Sequence, residues 1–150
     1  MYKRIAARRV RGVFEALSDG DFESALGGVP HDVHHLFPGG NALGGERHSR
    51  EALRRWFERL QALFPDITFE VREVAVKGPP WDLRVAVQWT DHGRAADGEP
   101  YENRGAHWIR IHRGKPVRIQ AYLDTDKVTA ALERMAAAGI PDASAPPITD

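Results

Sequence analysis

Along Val117-Arg118-Ile119-Gln120-Ala121-Tyr122-Leu123-Asp124, apolar and polar side chains alternate without a break. Successive strand side chains point to opposite faces, so this stretch reads as a strand with its odd-numbered side on a core. The same phase recurs upstream. Leu83, Val85, Val87 and Trp89 alternate with Arg84, Ala86, Gln88 and Thr90, and Tyr101, Asn103, Gly105, His107, Ile109 and Ile111 with Glu102, Arg104, Ala106, Trp108, Arg110 and His112. A further strand carries Ile67, Phe69 and Val71, then shifts phase to Val74 and Val76, which predicts a bulge near Glu73. Asp91 to Glu99 reads as a polar loop, and His31 to Phe37 as a short strand, after which a glycine-rich loop runs to Ser49.

Helical spacing governs the remainder. Residues 2–18 place Ile5, Val10, Val13, Phe14 and Leu17 at near-helical intervals, and Ser18-Asp19-Gly20 ends the run. Asp21 is placed to cap a short second helix. Ser49 caps a helix over about residues 50–64, whose stripe is Leu53, Trp56, Phe57, Leu60 and Phe64. A last helix, residues 125–138, carries Val128, Leu132 and Met135. The order is helix, helix, strand, helix, four strands, helix. Short turns join the last strands as antiparallel neighbours, so the class is α+β. Residues 1–138 form one domain, and 139–150, rich in Pro, Ala and Ser, are expected to be a loose tail.

A chain of 150 residues suits a single core. Its formal net charge is zero, which leaves no long-range field for nucleic acid or an anionic membrane. The early basic residues include Arg4, Arg8 and Arg11 on one helix face, a solvated stripe. With no cysteine, disulfides and thiolate chemistry are excluded. No apolar run approaches the roughly 20 residues that span a bilayer, and no signal-peptide pattern is visible, so a soluble cytoplasmic chain is the expectation.

Five signposts occur in order: Ser18-Asp19-Gly20-Asp21, Phe37-Pro38-Gly39-Gly40, Leu63-Phe64-Pro65-Asp66, Gly114-Lys115, and Tyr122-Leu123-Asp124-Thr125. Over about residues 3–138 this ordered set resembles the SnoaL-like branch of the nuclear-transport-factor-2-like (ketosteroid isomerase-like) superfamily. The resemblance implies a strongly bent, mostly antiparallel sheet wrapped by N-terminal helices into a cone, with a C-terminal helix. It implies a pocket for a small hydrophobic ligand, and a homodimer through the convex face, where Trp108, Tyr122, Gln120, Gln88 and Ala86 would lie. The superfamily holds ketosteroid isomerases, polyketide cyclases, epoxide hydrolases and many non-enzymes, so fold alone does not assign a reaction. The isomerase base position is occupied here by Phe37, and the two oxyanion-binding positions fall near Val13 and His107. The cyclase aspartate position is Ala121.

The phase then ranks the candidates. His107 lies on the inward side, where desolvation keeps an imidazole neutral; it is either a catalytic acid/base or a structural core histidine. His35 shares the inward phase and can partner it. Asn103 and Tyr101 are inward and suited to a ligand carbonyl or hydroxyl, or to satisfying the edge of the core. Trp56, Trp89 and Phe37 suit the wall of an apolar pocket. A zinc site from His35, His107 and His31 is not demanded by the spacing, so no metal and no cofactor are expected. His34, His48, His92 and His112 read as outward or loop-borne. Asp124 is better placed as a helix cap than as an acid, which leaves no carboxylate facing the interior. The expected function is binding of a small, largely apolar molecule, without catalysis or with an unassigned activity. The alternative is an isomerase, cyclase, dehydratase or hydrolase in which His107 and His35 move the proton.

Overall fold

The computed structural model describes residues 1–150. Four helices are α1 (Tyr2–Ser18), α2 (Phe22–Leu26), α3 (Arg50–Leu63) and α4 (Thr125–Ala137). Six strands are β1 (His34–Phe37), β2 (Gly45–Arg47), β3 (Thr68–Lys77), β4 (Asp82–Arg94), β5 (Pro100–His112) and β6 (Lys115–Leu123). The strands form one curved sheet in the order β2-β1-β6-β5-β4-β3. All neighbours are antiparallel except β1 and β6, which run parallel. No helix is long and apolar enough to cross a membrane.

Local chemistry explains most boundaries. Asp21, Ser49 and Asp124 each accept a backbone N–H from the first turn of α2, α3 and α4, the bond an N-cap supplies. Arg113 and Gly114 both take positive φ, 48° and 77°, the conformation of a two-residue hairpin turn matching strand twist. The β3 ladder shifts register between Val71 and Glu73, so the bulge falls where the phase change placed it.

Parity sets the core. Val85, Val87, Trp89, Ile109 and Ala121 are buried on the inner face, while Trp108 and Tyr122 are exposed on the outer one. Helix α3 buries Leu53, Trp56, Leu60 and Leu63. Helix α1 lies against β3 and buries Ala6, Val10 and Phe14. Ile5, expected on that stripe, is 62% exposed: the buried residues recur strictly every four positions, which leaves it on the outside of the first turn.

Three expectations are corrected. The loop before Ser49 contains β2, a three-residue strand whose glycine and two charged residues carry no strand pattern. β4 continues to Arg94, because Asp91 to Arg94 pair with Asn103 to Pro100 of β5; Asp66 Oδ1 accepts the Arg94 backbone N–H at 2.6 Å and ties the strand's end to the loop after α3. The tail is packed down. Pro141–Ser144 forms a 3₁₀ turn, Ile148 is buried, and its carbonyl accepts from Arg47 Nε at 3.0 Å. Asp150 Oδ1 accepts the His48 backbone N–H at 2.6 Å. A segment rich in Pro, Ala and Ser is held here by two buried side chains, Ala143 and Ile148, and by partners for otherwise stranded donors.

Candidate functional site

Between the concave face of the sheet and α1, α2 and α3 lies a cavity of about 310 Å³. Hydrophobic residues make up 22 of the 30 that line it, which sets the character of anything that fits. Phe14, Phe37, Trp56, Phe64, Phe69 and Trp89 supply aromatic wall. The exposed residues Arg9, Gly12, Ser24 and Gly28 also border it, placing the mouth between α1 and α2. Arg9, which donates to the Gly114 carbonyl, closes one side of that mouth.

Two polar stations interrupt the apolar lining. The first is a pair of imidazoles. Trp89 Nε1 donates to His107 Nδ1 at 2.8 Å. An indole nitrogen only donates, so Nδ1 is the acceptor and the ring proton sits on Nε2. His35 is fixed in the same way, with Arg47 Nη1 donating to its Nδ1 at 2.6 Å. Both rings line the cavity, so both bring an N–H donor to it. Burial holds His107 down at about 4. His35 is pushed well below its ordinary value, first by burial, then by the Arg47 charge and by His107. Both are therefore neutral at pH 7. His107 nevertheless keeps some accessible surface, which faces the cavity.

Arg47 sets the His35 tautomer and is itself wholly buried. Its Nε bonds Ile148 O and its Nη2 bonds Gly44 O, both at 3.0 Å. Its guanidinium carbon lies 5.5 Å from the Trp56 ring centre. Burial lowers its pKa to about 10, so it remains charged at neutral pH.

The second station is Asp91 with Tyr101. Asp91 is 4% exposed, and its Oδ1 has no hydrogen-bond partner. Burial pushes its carboxyl up to about 6, against the opposing pull of the Asn103 backbone N–H and of the charges of His92 and Lys127. The Tyr101 hydroxyl accepts from Asn103 Nδ2 at 3.0 Å, which leaves its own O–H free to donate. Burial first, then the nearby Asp91 charge, raises its pKa, so it stays protonated. In the ladder Asp91 faces Asn103, whereas Val87 faces His107. Four residues at about 3.3 Å each put the two stations roughly 13 Å apart along β4.

Of the sequence candidates, His107, His35, Tyr101, Trp56, Trp89 and Phe37 all line this cavity. Asn103 does not. Its side chain is used up by Tyr101 Oη, the Asp124 backbone N–H and carbonyl, and the Arg104 backbone N–H. It positions Tyr101 and the start of α4 and leaves no group for a ligand. His31 lies exposed in the turn before β1, apart from the cavity. Asp124 is exposed and caps α4. Asp91 is the residue sequence reasoning missed: the interior does hold a carboxylate. A signal was present, since Leu83, Val85, Val87, Trp89 and Asp91 keep one parity; the Asp-His-Gly composition read as a loop and hid it.

Residues 10–119 match the family described as SnoaL-like domain. Among solved structures, a protein of unknown function from Burkholderia pseudomallei, described as NTF2-like, superposes with a TM-score of 0.76 at 20% identity, covering 87% of this chain and 97% of its own. TerC, crystallised with polyporic acid, gives 0.73 at 21% identity, covering 85% and 97%. A loop-truncation variant of IdmH gives 0.67 at 27% identity, covering 84% and 98%; wild-type IdmH is a proposed polyketide cyclase from Streptomyces antibioticus. No protein of curated function matches the chain in sequence. The family match spans most of the chain, and the curved sheet, the wrapping helices and the cavity beneath them agree with it: the chain belongs to the SnoaL-like domain family, on the nuclear-transport-factor-2-like fold.

Proposed function

We propose that this chain binds a flat, largely apolar carbonyl compound in its cavity and catalyses a proton transfer on it, with Asp91 as the acid/base. The observation that carries this reading is the buried Asp91 carboxylate, its Oδ1 unpaired, in an otherwise apolar cavity. A carboxyl with a pKa of about 6 is mostly ionised at neutral pH and still basic enough to take a proton. In the proposed step Asp91 removes a proton from carbon next to a carbonyl. Tyr101 O–H donates to the oxygen as it gains charge. Asp91 then returns the proton at another position, or the enolate carbon attacks a second carbonyl of the same molecule. In the second course Asp91 gives its proton to the alkoxide formed at that carbonyl, so either course balances without an oxidant or a second substrate. The Nε2–H groups of His107 and His35 hold a second ligand oxygen at the far station. In this reading His107 is a donor and not the base, because its free nitrogen already carries the proton. A ligand reaching both stations is a polycyclic or extended aromatic ketone. The bound polyporic acid of TerC and the proposed cyclase role of IdmH support that class.

The same chain is proposed to pair with a second copy through the outer face of the sheet, where Trp108 is 38% and Tyr122 53% exposed. Aromatic groups amid uncharged neighbours such as Gln120 and Ala86 suit an interface core.

Trp56 and Trp89 line the cavity, so intrinsic fluorescence reports occupancy. A panel of polycyclic hydroxyketones and hydroxyquinones is titrated by fluorescence. The binders are then followed in deuterated water by NMR for exchange of the proton next to the carbonyl. The expected result is binding with accelerated exchange, and an Asp91→Asn variant that still binds but exchanges about 100-fold more slowly or worse. Binding without exchange in the wild type overturns the catalytic part and leaves a ligand carrier. No binding across the panel overturns the ligand class.

A further inference from the structure

On the opposite face of the sheet edge, away from the cavity, three metal-ligating side chains converge. In the β1–β2 ladder His35 faces Arg47 and Leu36 faces Glu46. Antiparallel counting puts His34 opposite His48, one residue beyond β2. The alternation that sends His35 and Arg47 into the core sends His34, Glu46 and His48 to the outer surface together. His34 Nε2 lies 3.4 Å from Glu46 Oε2. The His34 and His48 rings stack with centres 4.5 Å apart. One ligand atom from each of the three residues falls within 4.8 Å of the others.

The state of these side chains also points to a ligand. His34 Nε2 is buried and makes no hydrogen bond. Glu46 has no Lys or Arg partner: the nearest cation in register, Arg118 opposite His34 on β6, donates to Gln120 Oε1 instead. The His48 backbone is held by Asp150. Neighbouring donors in a tetrahedral site with bonds of about 2.0–2.1 Å stand roughly 3.4 Å apart, so small side-chain rotations close this one. We propose that His34, Glu46 and His48 form a binding site for a divalent transition-metal ion of the zinc, cobalt or nickel class. Two imidazole nitrogens and a single carboxylate favour such ions over magnesium or calcium, which take mostly oxygen. The site is open to solvent, so water completes the coordination. The bound ion clips β1 to β2, the hairpin whose inner face carries His35 and Arg47. This site is independent of the cavity chemistry proposed above.

The test uses the full, tag-free chain, stripped with a chelator and titrated with Zn²⁺ by calorimetry and with Co²⁺ by visible absorption. The expected result is one saturable equivalent of micromolar affinity, Co²⁺ bands of a nitrogen- and oxygen-ligated ion, and a raised unfolding temperature with metal. His48→Ala and Glu46→Gln each weaken binding about tenfold or more, whereas His92→Ala leaves it unchanged. Glu46→Gln keeps size and exposure, so it preserves the fold even where His48→Ala does not. Absence of a saturable equivalent, or equal affinity in Glu46→Gln and the wild type, overturns the site and leaves only adventitious histidine binding.

Discussion

At the scale of single residues, the cavity stabilises neutral forms, and that has opposite consequences for its acid and its bases. Asp91 titrates near 6 when folded against an ordinary 3.8. The folded state holds the proton more tightly, so its contribution to stability is full below about pH 4 and is lost as pH rises through 6. His107 titrates near 4 against an ordinary 6.5. The unfolded state then binds the proton more tightly, so that stability is present above about 6.5 and lost as pH falls through 4. His35 acts in the same sense as His107. Asp91→Asn is therefore expected to stabilise the protein at pH 8 by on the order of 2 kcal/mol and to change little near pH 4. Thermal unfolding of both proteins across that range checks it. A gain at pH 4 equal to that at pH 8 would contradict the buried, unpaired state of the carboxylate.

At the scale of elements, the tail is a working part of the β1–β2 edge. It covers Arg47 with Ile148, gives that guanidinium a carbonyl, and caps the His48–Ser49 approach to α3 through Asp150. Deleting residues 146–150 removes about 2 kcal/mol of apolar burial at Ile148 and leaves Arg47 Nε buried without a partner, a further 1–3 kcal/mol or so. Chemical denaturation is expected to show this loss with the fold retained. The His35 ring, freed from a rigid Arg47, should exchange faster by NMR. A truncated chain as stable as the full one would show that the tail merely rests on the surface. β4 makes the same point about elements. Its extension past Thr90 rests on pairing with Phe69 of β3 and Asn103 of β5, with Asp66 holding its last residue, and it is this extension that carries Asp91 into the cavity.

At the scale of the whole molecule, one curved sheet serves two surfaces at once. Its inner face closes a cavity with the helices, and its outer face leaves Trp108 and Tyr122 to solvent. The pairing proposed for that outer face predicts a dimer in light scattering, and a monomer for a Trp108→Glu, Tyr122→Lys double variant that still binds the same aromatic ketones. A monomeric wild type would refute the pairing without touching the cavity.

The chain's local patterns determined the class of fold, the strand parity, the three helix caps and the β3 bulge, and through strand parity and the α3 stripe part of the cavity wall: His107, His35, Tyr101, Trp56, Trp89 and Phe37. These depend on residues two to four positions apart, so they are written in short windows. Contacts between distant segments decided the rest. β1 runs parallel to β6, Gly45-Glu46-Arg47 becomes a strand against β1, β5 extends β4 to an end held by Asp66, and Asp124 takes up Asn103. The proton positions on His107 and His35 also belong here, because Trp89 and Arg47 reach those rings only across strands. An apolar side chain needs only a face to bury, and periodicity supplies one. A polar group in the interior is defined by its partners, and only the folded chain brings those together.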